Sequence, residues 1–232
     1  SRDLPERQQT MRAAISWGYN LLEPEDQHLF ATLSVFRGGF SLEHAERLVG
    51  DLAGDRRQAD SVLDGISSLI DKAFVRRDPA SPEENPRFGM LETIREYGLE
   101  CLAEQHRDVD VRRAHAQLMA SIAEEDELET DLLEADEDNF RTAAEWSTQT
   151  GDAELALRLG ASLWWSWYVR GQYAEGRNVM DTILAVPGGE NVPVRAKAQT
   201  GAGAMAFFLC DYDDAITLLE SVLDRLEKEY EA

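Results

Sequence analysis

One interruption in an otherwise helical pattern constrains the fold most. Apolar residues recur three and four positions apart through most of the chain, the signature of amphipathic helices. Gln8–Leu22 places Met11, Ile15 and either Tyr19 or Leu22 on one face. Pro24 opens the next helix, where its fixed φ suits the first turn. That helix carries Leu29, Phe30, Leu33 and Phe36 and stops at Gly38-Gly39. Ser41 is placed to cap a short helix running to Val49. Asp60–Ala73 carries the stripe Val62, Leu63, Ile66, Leu69 and Ile70. Then the period changes. Phe74-Val75-Arg76-Arg77 and Phe88-Gly89-Met90 read as strands, and Asp78–Arg87 between them holds Pro79, Pro82 and Pro86. Prolines at that density cannot occupy a helix interior, since each lacks an N–H and clashes with the preceding turn. A helix resumes through Ile94, Tyr97, Cys101 and Leu102. Helices, two strands joined by a wing-like loop, then a helix: this is the element order of a winged-helix domain, expected over residues 1–108.

Residues 109–232 read as helix throughout. The expected helices lie near 111–127, 134–149, 152–170, 173–186, 194–209 and 212–230, broken at Gly151, Gly171, Pro187-Gly188-Gly189 and Asp211. Asp152 and Asp211 are natural N-caps. Six helices with short turns make three antiparallel hairpins. Gly171-Gln172-Tyr173-Ala174-Glu175-Gly176 and Cys210-Asp211-Tyr212-Asp213-Asp214-Ala215 each open the second helix of a pair, and Tyr173 and Tyr212 lie 39 residues apart. A tetratricopeptide unit spans about 34 residues, and the linker at Val186–Val192 absorbs the excess. In that register Gly203 and Ala206 fall where paired helices approach closely. Their counterparts, Trp164 and Trp167, are large and are expected to pack between helices, so the first unit is degenerate. The fold class is therefore mainly α, a winged helix followed by tetratricopeptide-like hairpins. A start at Ser1 without Met suggests a piece of a longer protein, and the array is expected to continue past Ala232, because solenoids need several units.

The same register assigns a groove. Arg158, Ala161, Trp165, Tyr168 and Val169 of one first helix, and Lys197, Thr200, Ala204, Phe207 and Phe208 of the next, would face it. Aromatic side chains with a few basic ones make a usable pocket for a peptide or a small effector. The alternative is that all of these aromatics are core.

Charge narrows the function. With 45 acidic against 23 basic residues the net charge is −22, while 43% hydrophobic content is enough for a real core. Nucleic-acid affinity rests on Lys and Arg neutralising phosphates, and anionic membranes repel such a chain. No apolar run approaches the ~20 residues needed to span a bilayer. Residues 111–232 hold 24 acidic and 10 basic residues, and Glu124–Asp138 alone holds ten acidic residues and no basic one. That stretch, which includes Leu128, Leu132 and Leu133, reads as a solvated connector leading into a helix whose dipole favours carboxylates; a site for a cation or a basic partner is the alternative. The helix that would read DNA, Asp60–Ala73, has Asp60, Asp64 and Asp71 against Lys72. Major-groove helices usually present Arg, Lys, Asn or Gln. Arg56-Arg57 and Arg76-Arg77 flank it and could at most touch phosphates. Direct nucleic-acid binding is therefore not expected.

No catalytic or metal-binding pattern is present. There is no Walker-type loop, HExxH, Gly-x-Ser-x-Gly or CxxC. His28, His44, His106 and His115 never pair at ligand spacing and are expected on the surface or half-buried. Cys101 and Cys210 are expected as small buried hydrophobes, consistent with a reducing, cytoplasmic setting. An enzyme is not expected.

Four blocks, in order, carry a family resemblance. They are Asp3-Leu4-Pro5-Glu6-Arg7-Gln8-Gln9-Thr10-Met11-Arg12-Ala13-Ala14-Ile15 with Trp17-Gly18-Tyr19-Asn20-Leu21-Leu22; Leu33-Ser34-Val35-Phe36-Arg37-Gly38-Gly39-Phe40-Ser41-Leu42; Met90-Leu91-Glu92-Thr93-Ile94-Arg95-Glu96-Tyr97; and Glu134-Ala135-Asp136-Glu137-Asp138-Asn139-Phe140-Arg141-Thr142-Ala143-Ala144-Glu145-Trp146. Together they resemble the segment after the nucleotide-binding core of bacterial STAND-class (NB-ARC type) ATPase regulators, often joined to a LuxR-type or other DNA-binding domain. The resemblance implies a winged-helix switch module over 1–108 that packs on a nucleotide-binding domain, and a sensor array over 109–232 that binds a protein or small-molecule effector. It implies no cofactor in this segment, with ATP or ADP held by the domain upstream. Relatives with a Met-His-Asp motif read the bound ADP phosphate through its His. The matching positions are Met90, Leu91 and Glu92, and Leu91 cannot donate a hydrogen bond. A stand-alone winged-helix DNA-binding repressor with a helical dimerisation region is the competing expectation.

Overall fold

The computed structural model describes residues 6–54, 61–125, 134–189 and 192–230. Contacts divide the chain into two compact units, residues 1–115 and 116–232.

Before the division the described residues of the first unit form α1 (Glu6–Tyr19), α2 (Pro24–Leu33), α3 (Leu42–Ala53), α4 (Val62–Asp71) and α5 (Glu92–Glu104). Pro24 begins α2 as expected, with Glu25 and Asp26 in the first turn, where the dipole favours carboxylates. The Ser41 hydroxyl accepts the His44 N–H at 3.1 Å and caps α3, which runs on to Gly54 at φ 65°. Phe30, Leu33, Phe40, Leu48, Ile66, Leu69 and Leu102 form the fully buried core. Phe30 meets Phe74 edge-on, with centroids 4.9 Å apart. At Gly98 an added Cβ would come within 2.6 Å of Ser34 Cβ, so α5 lies against the end of α2 at a distance only glycine permits.

Two sequence expectations need correction here. The sheet has three strands, not two: β1 (Phe40–Ser41), β2 (Arg76–Arg77) and β3 (Arg87–Gly89), in the order β1-β3-β2, all antiparallel. Phe88 in the central strand pairs with Phe40 on one side and Arg77 on the other. A two-residue strand ending on a helix cap has no periodicity to read. Met11 is the second correction, since it is 42% exposed, while Leu22 is buried and Tyr19 half-buried. Arg56, Arg57 and Asp60 lie outside the described residues, as do Leu128, Leu132 and Leu133.

The division falls within α6 (Asp108–Glu125). Helices α7 (Glu137–Thr150), α8 (Ala153–Val169), α9 (Tyr173–Leu184), α10 (Val192–Phe208) and α11 (Tyr212–Tyr230) complete the second unit. Each packs on the next, as short turns between antiparallel helices dictate. Asp152 caps α8 by accepting the Leu155 N–H. Close approaches set the spacing: a Cβ on Gly203 would meet Leu219 Cγ at 3.0 Å, and one on Gly201 would meet Trp164 Cβ at 2.5 Å. Trp167 lies against Gly176 in the same way. Both tryptophans thus pack between helices. Asp136, from the acidic stretch read as a solvated connector, is buried and accepts a hydrogen bond from Asn139 Nδ2 at 2.9 Å. Cys101 is buried, but Cys210 is exposed at φ 64°, because α10 ends two residues earlier and Cys210 forms the turn. His115 is likewise more buried than expected, set edge-on against Phe36 at 5.1 Å.

Candidate functional site

The groove positions on α8 and α10 separate into an aromatic end and a charged end. At the C-terminal ends of both helices, Trp165 stacks on Tyr168 with centroids 5.1 Å apart, and Tyr168 meets Phe208 at 5.3 Å. Phe208 contacts Phe207 at 5.6 Å and stacks on Tyr173 at 4.9 Å. Phe207 continues the chain of rings to Tyr212. Phe207, Phe208, Tyr212 and Val169 are all exposed. So four expected groove residues, Trp165, Tyr168, Phe207 and Phe208, share one surface, joined by Tyr173 and Tyr212. Aromatic faces of this kind give large contact area at low entropic cost.

Arg158 and Lys197 lie about 10 to 17 Å from the rings along their helices. Arg158 donates to both carboxylate oxygens of Glu124, at 2.7 and 2.8 Å. Those bonds, with the positive charge of Lys197, hold the Glu124 carboxyl below its ordinary range despite its partial burial. Thr200 is exposed, and its hydroxyl donates to the Ala196 carbonyl. Ala161 is buried and belongs to the packing between helices.

In the first unit, Met90 and Glu92 border a polar cleft of about 350 Å³. Arg76, Arg87 and Arg95 line it, with Asp78 and Gly38-Gly39. Glu92 receives two hydrogen bonds from Arg95, at 2.9 and 2.7 Å, which lower its pKa against the opposing effect of burial. Arg95 also reaches the Ser34 carbonyl, so its guanidinium is fixed at the cleft wall. Leu91 is exposed and serves as the N-cap position of α5. The sequence pointed to Met90 and Glu92 but not to the arginines, which come from β2, β3 and α5 and share no local pattern.

A larger cleft, about 660 Å³, opens between α2, α3 and α4. Leu29, Val49, Leu52 and Val62 give it an apolar lining. On its wall Arg107 bonds His28 Nδ1 at 3.1 Å and Thr32 Oγ1 at 3.3 Å. Desolvation, then the nearby guanidinium, pushes the His28 pKa down. No sequence signal joins residues 79 positions apart.

Among the described residues no cluster of three or more His, Cys, Asp or Glu side chains could hold a metal ion, and no helix is long and apolar enough to cross a membrane.

No family model and no solved structure matches the chain. The chain is 35% identical over 191 residues to proteins of Mycobacterium tuberculosis and Mycobacterium bovis named "Putative HTH-type transcriptional regulator". That alignment covers 79% of this chain and 21% of each relative, so the chain spans about a fifth of the length of these curated relatives. It is also 32% identical over 101 residues to an uncharacterized protein of Mycobacterium tuberculosis, covering 42% of this chain and 24% of that protein.

Proposed function

We propose that the chain is the regulatory segment of an ATP-dependent transcriptional regulator of the STAND type. In this reading the winged-helix unit packs on a nucleotide-binding core in the resting state. The helical hairpins take a protein or small-molecule effector on the aromatic surface of α8 and α10. An effector that binds one packing state better than the other shifts the balance between them.

The observation that carries this reading is the polar cleft at Met90 and Glu92. Arg76, Arg87 and Arg95 line it beside Asp78 and Glu92, where the resemblance implies a phosphate contact. Leu91 supplies no donor there, and Arg76, Arg87 and Arg95 supply many. The test uses two measurements. Calorimetric titration of ADP and ATP into this chain is expected to show no tight binding, and a micromolar dissociation constant would remove the idea that the nucleotide is held elsewhere. In the full-length regulator, Arg76→Gln with Arg87→Gln is expected to weaken ADP retention. Retention equal to wild type would remove the cleft's role.

Direct DNA reading by the winged helix is the second reading, favoured by the relatives' HTH name. Against it, α4 carries Asp64 and Asp71, and Lys72 at its end is held by Asp26 at 2.8 Å. A mobility shift on random duplex DNA at low salt separates the two readings: no shift at micromolar protein is expected.

A further inference from the structure

The last helix presents an apolar stripe that is only partly covered: Leu219 touches α10 at Gly203 and Tyr212 meets the Phe207 ring, and much of each side chain stays exposed. Tyr212, Ile216, Leu219, Leu223 and Leu226 follow one another at steps of four, three, four and three. That is the spacing of a helix–helix seam. Each is 40–60% exposed. The stripe runs about 21 Å at 1.5 Å per residue. The inner face of the same helix is already used, with Ala215 and Val222 buried.

The preceding repeat shows what such a face does. Tyr173 and Tyr212 are equivalent, so Met180 corresponds to Leu219 and Leu184 to Leu223. Met180 is fully buried and Leu184 half-buried, whereas Leu219 and Leu223 are exposed. Met180 packs on α8 at Gly160, as Leu219 packs on α10 at Gly203, and in the earlier repeat α10 also lies on α9, so closely that a Cβ on Gly176 would meet Met205 Sδ. The covering helix is chemically distinctive: α10 has no acidic residue and carries Arg195 and Lys197. Arg195 donates to the carbonyls of Gly188 and Gly189, just beyond the end of the helix it covers.

The charge around the exposed stripe points the same way. Asp213, Glu220 and Glu227 lie one position beyond Tyr212, Leu219 and Leu226, forming an acidic row along the edge of the stripe. A second copy laid antiparallel would set this row against its own equivalent, on top of the repulsion between two chains of charge −22. A helix bearing Lys or Arg along its seam would instead pair with the row.

We propose that α11 is a docking face for an amphipathic helix from outside these 232 residues, apolar at its seam positions and lined with Lys or Arg along the edge that meets Asp213, Glu220 and Glu227. Apolar burial supplies the affinity of such a contact, and the charge row sets the register and selects the partner.

The probe is a pair of synthetic peptides of about three heptads with Leu at both seam positions. One carries Lys and the other Glu at the flanking positions, and binding to the whole chain is read by fluorescence anisotropy. The Lys peptide is expected to bind, and the Glu peptide to bind at least about tenfold more weakly. Glu220→Lys with Glu227→Lys is expected to reverse that preference. The same change at Glu43 and Glu154, on other helices, is expected to leave it, which separates the row from the overall charge. Leu223→Ser is expected to weaken the Lys peptide about tenfold or more. Its target is exposed, so the fold should persist, and circular dichroism checks this. Equal binding of both peptides, or no effect of the α11 variants, overturns the proposal. Sedimentation showing a dimer that Leu223→Ser dissociates also overturns it, in favour of a second copy.

Discussion

Gly98 and His28 show how differently single residues report on the first unit. At Gly98 a methyl group would be driven to 2.6 Å from Ser34 Cβ and 3.2 Å from the tip of Phe30. The phenyl ring can yield, but a Cβ fixed to the backbone cannot. Alanine gains about 1 kcal/mol of helix propensity over glycine, while forced overpacking costs about 1–3 kcal/mol. Gly98→Ala is therefore expected to lower the thermal midpoint, and Gly98→Val to lower it much further. A midpoint unchanged or raised by Gly98→Ala would mean that α2 and α5 separate without cost. His28 reports on pH. Desolvation and Arg107 hold its folded pKa below the unfolded value of about 6.5. Below pH 6.5 the unfolded chain then binds more protons, so stability falls as the pH drops from about 6.5 through the folded pKa. His28→Gln should flatten this part of the profile, read as the difference in urea midpoint between wild type and variant at pH 5 and pH 7.5. If the two profiles run parallel, the imidazole is not linked to folding. The sequence could mark Trp165, Tyr168, Phe207 and Phe208 as one surface, because a helical repeat carries residues one repeat of 39 apart to neighbouring positions. It could not mark His28 with Arg107, whose meeting depends on how α2 crosses the start of α6.

Elements were legible in proportion to their length. Helices α8, α9 and α11 begin within a residue of where the breaks at Gly151, Gly171 and Asp211 place them. Each break is a local signal: a left-handed glycine after the helix, or an aspartate before the next one. Strand β1 shows the opposite limit. Its two residues sit between Gly39, at φ 111°, and the first turn of α3. Nothing local distinguishes them from a loop, and only Phe88 of β3, far along the chain, makes them a strand. Ser41 therefore has two jobs, pairing across to Arg87 and capping α3. Removing the hydroxyl tests the second alone. Ser41→Ala is expected to cost about 1 kcal/mol, the usual loss for an N-cap, and Ser41→Asp to recover most of it. Chemical denaturation of the three proteins measures this. Equal loss in alanine and aspartate would show that packing at the buried Ser41 site, not the cap, sets the cost.

At the scale of the whole molecule the question is whether so much carboxylate stabilises or opposes the fold. Residues 111–232 carry 24 acidic against 10 basic side chains. Ion pairs there join Arg141 with Glu137 and Glu175, Arg158 with Glu124, Arg170 with Glu137, and Arg177 with Asp181 and Asp214. All these pairs are partly exposed, and exposed pairs are worth about 0–1 kcal/mol each. Against them stand the unmatched carboxylates. Two like charges about 10 Å apart in water repel by about 0.4 kcal/mol, and with so many of them the small terms accumulate. Salt weakens both effects, but not equally. The ion pairs are close contacts, while most of the repulsion acts near the screening distance, about 10 Å at 0.1 M salt. Screening should therefore remove more repulsion than attraction. Raising sodium chloride from about 20 mM to about 300 mM is expected to raise the thermal midpoint, with most of the gain by about 150 mM, where the screening length has already fallen to about 8 Å. Glu220→Lys with Glu227→Lys should shrink the gain, since it removes like charge from one row of α11. A midpoint that falls with salt would mean that the arginine pairs outweigh the repulsion, and the acidic row on α11 would then add nothing to the cost of folding.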